Sequence, residues 1–271
     1  MIIAESGSTK TDWVIITKNT RQHIKTIGIN PFYLSSEEIA DVFTSRITKH
    51  IDQDHHDLYF YGAGCSSEES KMKIKKALES TSSPIQCHVE SDLLAAARSA
   101  LQNKTGTVCI LGTGSNCCAY NGNSIVSHIG GHGFILGDEG SGADLGKRLL
   151  QLHLFDQLPK EISLRIAQRE EIFKRTYSEK RPNQYLASFS PLISEFKKTP
   201  EIKKLISESF ESFIKYHLKN VQGPIHFVGS IANIYKHELQ EAFLRNELQL
   251  GSIIKSPIEA LTKYHLNESE I

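Results

Sequence analysis

Residues 5–13, ESGSTKTDW, are the most informative stretch of this 271-residue chain, because they place a glycine turn between two strand-like runs. Those runs are residues 1–4, MIIA, and residues 14–16, VII. Residues 111–120, LGTGSNCCAY, repeat the arrangement after the apolar residues 108–110, VCI. Each stretch predicts a hairpin turn rich in Gly, Ser and Thr, whose N–H groups and hydroxyls can hold phosphate oxygens. Two such turns predict two similar lobes that grip one phosphate chain.

Composition and charge are those of an ordinary globular protein. Hydrophobic residues make up 39% of the chain and charged residues 23%. Because 31 basic residues balance 31 acidic ones, no surface for nucleic acid is predicted. No apolar run reaches the ~18 residues that span a bilayer, and the N-terminus carries no signal-like segment. We therefore expect a cytoplasmic protein with a small-molecule substrate and neither a nucleic-acid nor a membrane partner.

The five cysteines predict neither a disulfide framework nor a zinc site. Their number is odd, no CxxC pair occurs, and the twelve histidines form no spaced ligand set with them. Residues 52–57, DQDHHD, contain an adjacent histidine pair and are predicted to form a polar loop.

Alternating strand and helix patterns organise the chain into two similar halves. Capping chemistry at residues 35–38, SSEE, predicts a helix start, and Asn121-Gly122 predicts a hairpin turn. The first half reads as three strands and then helix, strand, helix, strand, helix, which implies a mixed sheet with helices on its faces. The second half repeats the scheme with a helical insertion. The predicted domains are 1–104 plus 257–271, and 105–256 with the insertion at about 160–220.

Asp92 lies between the predicted strand 86–90 and a predicted helix that runs to about Gln102. In one interpretation it is a helix N-cap, which offsets the helix dipole. In the other it is a general base at the carboxyl end of a strand, where α/β sheets place their ligands. The phosphate turns on either side of it in the sequence favour the base.

Residues 137–142, GDEGSG, follow residues 130–133, GGHG, and form a second group of candidates. The glycines permit close approach of a ligand, and the carboxylates can hold sugar hydroxyls or a magnesium shell. Glu5 is another candidate for magnesium, through water. Asn30, in residues 28–32, GINPF, is either an ordinary loop signal or an amide that fixes a hydroxyl or acyl group of a sugar. The chain has neither a GxxxxGK[ST] phosphate loop nor a GxGxxG dinucleotide motif.

Together these motifs resemble the sugar-kinase and ATPase group related to actin, hexokinase and Hsp70. They most closely resemble the BadF/BadG/BcrA/BcrD ATPase family and its N-acetylglucosamine kinases. The resemblance spans nearly the whole chain and is strongest over residues 1–17, 90–146 and 225–265. It implies an α/β fold of two ribonuclease-H-like (actin-like ATPase) domains, with ATP and sugar in a cleft between them.

The resemblance also assigns roles residue by residue. Asp92 matches the catalytic base, and many relatives carry Asp in place of Glu5. Glu5 and Asp138 are the candidates to hold Mg²⁺. The residues implied for ATP are Gly7, Ser8, Thr9, Lys10, Gly112, Ser115, Gly229 and Ser230. The residues implied for the sugar are Asn30, Thr113, Gly114, Gly131, His132, Gly133 and Asp138.

The implied activity is phosphorylation of an amino sugar by Mg-ATP, with O6 of N-acetylglucosamine as the expected acceptor. N-acetylglucosamine kinases carry Trp where His132 stands, so glucosamine and a muramic acid derivative stay open as substrates. An ATPase that activates a partner enzyme is an alternative, although no cysteine pair has a convincing spacing for a shared iron–sulfur cluster. A nucleotide- or sugar-binding regulator without turnover is the third interpretation. The oligomeric state is left open, with a homodimer among the options.

Overall fold

Two compact units make up the fold. Unit 1 comprises Met1–Gln102 with Pro257–Ile271, and unit 2 comprises Asn103–Ser256. The structure, a computed structural model, describes residues 1–18, 20–51, 56–81 and 85–269. Most of the predicted polar loop at residues 52–57 lies outside the described residues. Its described members, His56 and Asp57, begin a strand, so the loop prediction was wrong for these two.

Ten strands and thirteen α-helices are found among the described residues. The strands are β1 Ile2–Ser6, β2 Lys10–Ile16, β3 Arg21–Ile27, β4 His56–Gly62, β5 Ile85–Ser91, β6 Thr105–Leu111, β7 Ser115–Asn121, β8 Ile125–His128, β9 Ile225–Val228 and β10 Leu250–Ile254. The helices are α1 Ser36–Arg46, α2 Glu68–Glu79, α3 Asp92–Leu101, α4 Gly133–Leu136, α5 Gly142–Leu154, α6 Lys160–Ser163, α7 Arg169–Tyr177, α8 Pro182–Ala187, α9 Ser190–Glu195, α10 Pro200–Phe213, α11 Ser230–Ile234, α12 Lys236–Arg245 and α13 Ile258–Ser269.

Each unit is built on one five-stranded mixed sheet, and the two sheets share one topology. In unit 1 the order is β3-β2-β1-β4-β5, and in unit 2 it is β8-β7-β6-β9-β10. The first three strands of each unit form an antiparallel meander, and the last two add in parallel to its first strand. The predicted α/β class, the mixed sheets and the repetition between the halves are therefore confirmed.

Aromatic side chains fill the core of unit 1 on one face of its sheet. Trp13 on β2 is fully buried, and its ring centroid lies 5.8 Å from that of Phe43 on α1 and 6.2 Å from that of Phe60 on β4. The indole N–H still finds a partner, since Nε1 donates to Thr26 Oγ1 at 2.9 Å. Burying one such side chain stabilises a fold by roughly 1.5–3 kcal/mol, so Trp13 anchors α1 against the sheet.

The helical insertion covers one face of the unit 2 sheet. The predicted helical region is confirmed as α6 to α10, and α10 carries the buried residues Phe210 and Phe213. Phe227 on β9 lies 6.1 Å from Phe213 and 5.4 Å from Phe243 on α12, measured between ring centroids. The insertion is therefore part of the hydrophobic core of unit 2.

The carboxyl ends of the parallel strands meet at one edge of each sheet, the edge where α/β folds place their ligands. In unit 1 that edge carries the turn after β1 and the start of α3 after β5. In unit 2 it carries the turn after β6 and the start of α11 after β9. The sequence-predicted site residues gather at these two edges.

Candidate active site

The ESGSTKTDW turn is a hairpin between β1 and β2, whose pairing ends at Ser6 and Thr11. The N–H of Gly7 donates to the carbonyl of Lys10 at 3.0 Å and closes the turn. The N–H of Gly28 donates to the carbonyl of Thr9 at 3.1 Å. A Cβ atom at Gly28 would lie 2.5 Å from the carbonyl oxygen of Gly7, so only glycine fits beneath the turn. The chain thus braces the turn from one side and leaves Thr9 exposed on the other.

Two hydroxyls inside the hairpin secure its base. Ser6 Oγ lies 2.8 Å from Thr11 Oγ1 and accepts the N–H of Ile29 at 2.8 Å. It also donates to the carbonyl of Ile29 at 2.9 Å. Because Asn30 follows Ile29, these bonds fix Asn30 beside the hairpin. The turn and the predicted sugar-contacting residue are therefore parts of one local structure.

Carboxylates lie side by side at this edge of unit 1. Glu5 is the cross-strand partner of Asp12, and Asp12 accepts a hydrogen bond from Lys10 Nζ at 2.5 Å. Burial, together with the charges of Asp92 and Asp12, raises the pKa of Glu5 to about 7, and the charge of Lys10 opposes the shift. Lys10, predicted to contact phosphate, is therefore paired with Asp12, although its side chain remains 53% exposed.

Asp92 is not the N-cap of α3. Ser91 is the N-cap, with extended backbone angles, and its hydroxyl accepts the N–H of Leu94 at 3.2 Å. The N-cap interpretation of Asp92 is therefore wrong, and its carboxylate occupies the first helical position. Burial raises its pKa to about 6, although the N–H groups of Asp92 and Leu93 oppose the shift. A half-buried carboxylate with a pKa near neutrality has the property that a general base needs.

Asn30 is buried and shows both features that the sequence left open. Its Oδ1 accepts the N–H of Phe32 at 2.9 Å, which is the ordinary turn stabilisation expected before proline. Gly64 faces the same oxygen, because a Cβ there would lie 2.7 Å from Oδ1. The amide Nδ2 makes no hydrogen bond to another described residue, so two donors stay available to a ligand.

The LGTGSN turn of unit 2 is also a hairpin, closed by a 3.0 Å hydrogen bond from the N–H of Gly112 to the carbonyl of Gly114. Its outer carbonyls are used by the start of α5. The N–H of Gly142 donates to Gly112 at 2.9 Å, and that of Ala143 donates to Thr113 at 3.0 Å. These hydrogen bonds use carbonyl groups of the hairpin as acceptors. The backbone N–H groups of Thr113 and Gly114 therefore remain available to a ligand.

Asp138 lies directly against this second hairpin. Its Oδ1 accepts the N–H of Ser115 at 3.2 Å, and a Cβ at Gly114 would lie 2.8 Å from its Oδ2. Burial raises the pKa of Asp138, and the bond from Ser115 opposes the shift. Its φ of 59° is in the left-handed region, which is uncommon for a residue other than glycine and clusters at functional sites. The structure therefore brings Gly114, Ser115 and Asp138 together.

The GGHG turn packs on the side chain of Asn116, the residue that follows Ser115. Gly131 has a φ of 84°, and a Cβ there would lie 2.9 Å from Asn116 Oδ1. Both the backbone angle and the close approach thus require glycine. His132 and Gly133 are exposed at the tip of the turn.

Gly229 and Ser230 begin α11 at the end of β9. Gly229 has a φ of 131°, and its N–H donates to the carbonyl of Ile254 at 2.8 Å. A Cβ atom here would clash with the carbonyl of Leu111, the residue before the second hairpin. The two segments predicted to bind nucleotide in unit 2 are therefore in contact, and Ser230 is exposed beside them.

Known proteins share the sequence features of this chain. A model of the BadF/BadG/BcrA/BcrD ATPase family matches residues 5–262. The chain belongs to this family. The membership confirms the family resemblance that the sequence indicated.

Relatives with known names support the same grouping. An N-acetyl-D-glucosamine kinase of Dictyostelium discoideum is 25% identical over 219 residues, which cover 70% of this chain and 69% of that protein. A Porphyromonas gingivalis structure, provisionally assigned as an N-acetylglucosamine kinase, has a TM-score of 0.89 at 34% identity, with 99% of each chain covered. A ROK family glucokinase from Streptomyces griseus, solved with glucose and AMPPNP, has a TM-score of 0.56 at 13% identity over 97% of this chain. At that identity the glucokinase shows the fold alone. In the described part of the chain, no helix is long and apolar enough to cross a membrane.

Several residues at the two edges were not predicted as site residues. Asp12 stands in the first motif, and the hairpin register that pairs it with Glu5 was the available signal. Asn116 and Glu139 stand inside motifs that the sequence did single out. His217 comes from the helical insertion, 78 residues after the Glu139 that it contacts, and no local pattern marks it.

Proposed function

We propose that the protein is an ATP-dependent kinase of an amino sugar, with O6 of N-acetylglucosamine as the acceptor. The observation that carries the proposal is Asp92, a carboxylate at the carboxyl edge of a sheet whose helix is already capped by Ser91. Family membership supports the use of ATP, and the names of the relatives support the amino sugar.

Asp92 acts as the base on the sugar hydroxyl. Phosphoryl transfer depends on positioning and charge neutralisation more than on covalent help. A pKa of about 6 leaves Asp92 ionised at neutral pH, yet close enough to accept a proton as the hydroxyl oxygen bonds to phosphorus. The proton then sits on the carboxyl oxygen, and ADP leaves with the electrons of the broken P–O bond.

The two hairpins hold the phosphates of ATP through their N–H groups and hydroxyls. Ser8 and Thr9 serve in the first hairpin, and Gly112 and Ser115 serve in the second. Lys10 contributes charge from its pairing with Asp12, and it can turn to a phosphate because its side chain is half exposed. Gly229 and Ser230 contact the adenosine, since the glycine lets a ligand approach the backbone closely.

Amide, carboxylate and backbone groups hold the sugar. Nδ2 of Asn30 donates to a sugar oxygen, and Asp138 accepts from sugar hydroxyls with its Oδ2. Thr113 and Gly114 contact the same substrate. Gly131, His132 and Gly133 form the turn that distinguishes one amino sugar from another.

Magnesium fits the carboxylates of unit 1. Glu5 lies near the charges of Asp12 and Asp92, which add to the effect of burial in raising its pKa, and a bound cation would offset that repulsion. No three His, Cys, Asp or Glu side chains form a metal site on their own in the part of the chain that the structure describes. Mg²⁺ commonly uses only one or two carboxylates together with phosphate oxygens, so Glu5 is a suitable ligand and Asp138 is a second candidate. When bound, the ion neutralises charge on the β and γ phosphates.

An ADP-release assay on a panel of sugars tests the proposal. The panel contains N-acetylglucosamine, N-acetylmuramic acid, glucosamine and glucose, each with and without Mg²⁺. We expect release that requires both sugar and Mg²⁺ and that is fastest with N-acetylglucosamine. Hydrolysis at one rate with every sugar and with none would instead indicate an ATPase that activates a partner. No ADP with any sugar would indicate a binding regulator.

A further inference from the structure

The helical insertion ends in a helix that supports the loops of unit 2. The helix α10 continues directly into one turn of π-helix, Ile214–Leu218. We call residues 200–218 the support helix. Such wide turns are rare within helices and occur frequently at functional sites.

Three side chains of the support helix, four residues apart, face the GDEGSG loop. Ser209 Oγ donates to Asp144 Oδ2 at 2.7 Å, and the same oxygen accepts the N–H of Gly140 at 3.3 Å. Phe213 packs on Gly140, where a Cβ atom would lie 3.1 Å from the Cβ of Phe213. His217 is the third, and it is the one that also reaches the GGHG turn.

His217 joins the two loops through its two ring nitrogens. Nε2 lies 2.8 Å from Oε2 of Glu139, and Nδ1 lies 3.2 Å from the carbonyl oxygen of Ile129. Because a carbonyl oxygen can only accept a hydrogen bond, Nδ1 carries the hydrogen and is the donor in this contact. The ring also packs on Gly130, where a Cβ would lie 3.4 Å from Nδ1. With its side chain only 6% exposed, His217 is a buried tether between the start of the GGHG turn and Glu139.

We propose that His217 is a positioning residue that sets sugar affinity by holding the GGHG turn and Glu139 in one arrangement, on the basis of the proposed function. Three glycines in the turn leave its backbone many alternative conformations, and a tether removes them before the sugar binds. His132, whose ring lies 6.2 Å from that of His217 and nearly parallel to it, is held at the exposed tip of the turn by the same contact. If the tether is removed, the turn becomes less ordered and sugar binding weakens. The chemical step is spared, because His217 touches no reacting atom.

The variant His217→Phe tests this proposal, since it keeps a ring against Phe213 and removes both polar contacts. We expect the KM for the sugar to rise about tenfold, while kcat and the KM for ATP change less than about threefold. His217→Gln retains an amide donor and an acceptor and should recover most of the sugar affinity. His153→Phe is the matched control, because His153 Nδ1 lies 2.7 Å from Ser163 Oγ in the same unit. This control should leave all three parameters unchanged.

Two results would overturn the positioning role of His217. One is an unchanged sugar KM in His217→Phe. The other is an equal loss in sugar affinity, ATP affinity and kcat that His217→Gln does not recover, because that pattern is a general loss of folding. If the native protein phosphorylates no sugar, the proposed function fails, and the tether is then tested by hydrogen–deuterium exchange of residues 129–140. Faster exchange in His217→Phe than in His153→Phe supports the tether, and equal exchange contradicts it.

Discussion

The two sheets share one strand order, yet their carboxyl edges are built from different chemistry. At the edge of unit 1, Glu5 and Asp92 have pKa values raised to about 7 and about 6, chiefly by burial. At the edge of unit 2, Asp138 has a left-handed φ of 59° and glycine turns pack on side chains. With the same topology, unit 1 therefore carries the electrostatic free-energy cost of buried carboxylates, and unit 2 carries the conformational cost of a strained backbone.

This difference suggests a division of labour in the proposed reaction. Carboxylates with raised pKa values are suited to moving a proton and to holding a cation, which are tasks of the chemical step. A fixed, strained backbone is suited to shaping a pocket, which is a task of recognition. Changes to Glu5 and Asp92 should then act mainly on kcat, and changes around Asp138 mainly on sugar affinity.

The largest expected effect is that of Asp92→Asn, which keeps the shape of the side chain and removes the base. We expect kcat to fall by about 10²- to 10⁴-fold, while the Kd for the sugar measured by calorimetry stays within about threefold. Asp41→Asn, at an exposed position on α1 of the same unit, is the control and should behave like the native protein. A kcat within tenfold of the native value would remove Asp92 from the role of base.

A matched pair of glycine variants compares the two hairpins. In Gly114→Ala the new methyl group would lie 2.8 Å from Oδ2 of Asp138 and must displace it. We expect the sugar KM to rise about tenfold, a change of about 1.4 kcal/mol. In Gly7→Ala the nearest atom, the carbonyl oxygen of Lys10, would be 3.9 Å away, so activity should change less than about threefold. Equal losses in the two variants would contradict the difference between the hairpins.

Glu5→Gln should stabilise unit 1 at high pH while it lowers activity. The folded-state pKa of Glu5 is about 7 and its ordinary value is 4.5, so the folded protein loses stability as pH rises through 7. Removing this carboxylate should raise the free energy of unfolding by about 1–3 kcal/mol at pH 8 and much less at pH 5.

The single tryptophan makes the Glu5→Gln experiment specific to unit 1. Trp13 is buried in the core of that unit, so its fluorescence during urea unfolding with EDTA present reports on unit 1. If the variant and the native protein had the same pH dependence, the buried charge at Glu5 would not be the cause.

The smallest expected effect concerns His265, on the face of the unit 1 sheet that α13 covers. Its Nε2 lies 2.8 Å from the Tyr61 hydroxyl, which accepts a hydrogen bond from Arg98 and can donate only to a neutral imidazole. Burial, aided by the charge of Arg98, lowers the pKa of His265 from 6.5 to about 4. The unfolded chain therefore takes up a proton first, and stability falls as pH drops below 6.5.

Comparison with His265→Asn isolates this contribution. Between pH 7 and pH 5.5 the native protein should lose about 1 kcal/mol more of its unfolding free energy than the variant does. Urea unfolding followed by Trp13 fluorescence measures both proteins. Parallel pH profiles would contradict a neutral, buried His265.

The sequence allowed most of the fold to be predicted, because local patterns decide its elements. The capping box at Ser35 and Glu38 is present, and both glycine motifs are hairpins. Asp92 was harder to interpret, since Ser and Asp at residues 91 and 92 are both suitable N-caps and only the backbone angles separate them.

What could not be predicted depends on contacts between distant segments. His217 required knowledge that the support helix packs behind the GDEGSG loop. This contact leaves no periodic signal in the sequence. The pKa of Glu5 likewise depends on burial and on Asp92, which lies far away in the chain but close to it in the fold.

The central claim, that the γ-phosphoryl group of ATP passes to a sugar hydroxyl, is tested most directly by the product. Native protein, Mg²⁺, ATP and N-acetylglucosamine are incubated, and phosphorus NMR correlated to the sugar protons identifies what carries the phosphate. We predict one sugar phosphate, esterified at O6, for each ADP formed. ADP accompanied by inorganic phosphate alone, in equal amount with and without the sugar, would contradict the account.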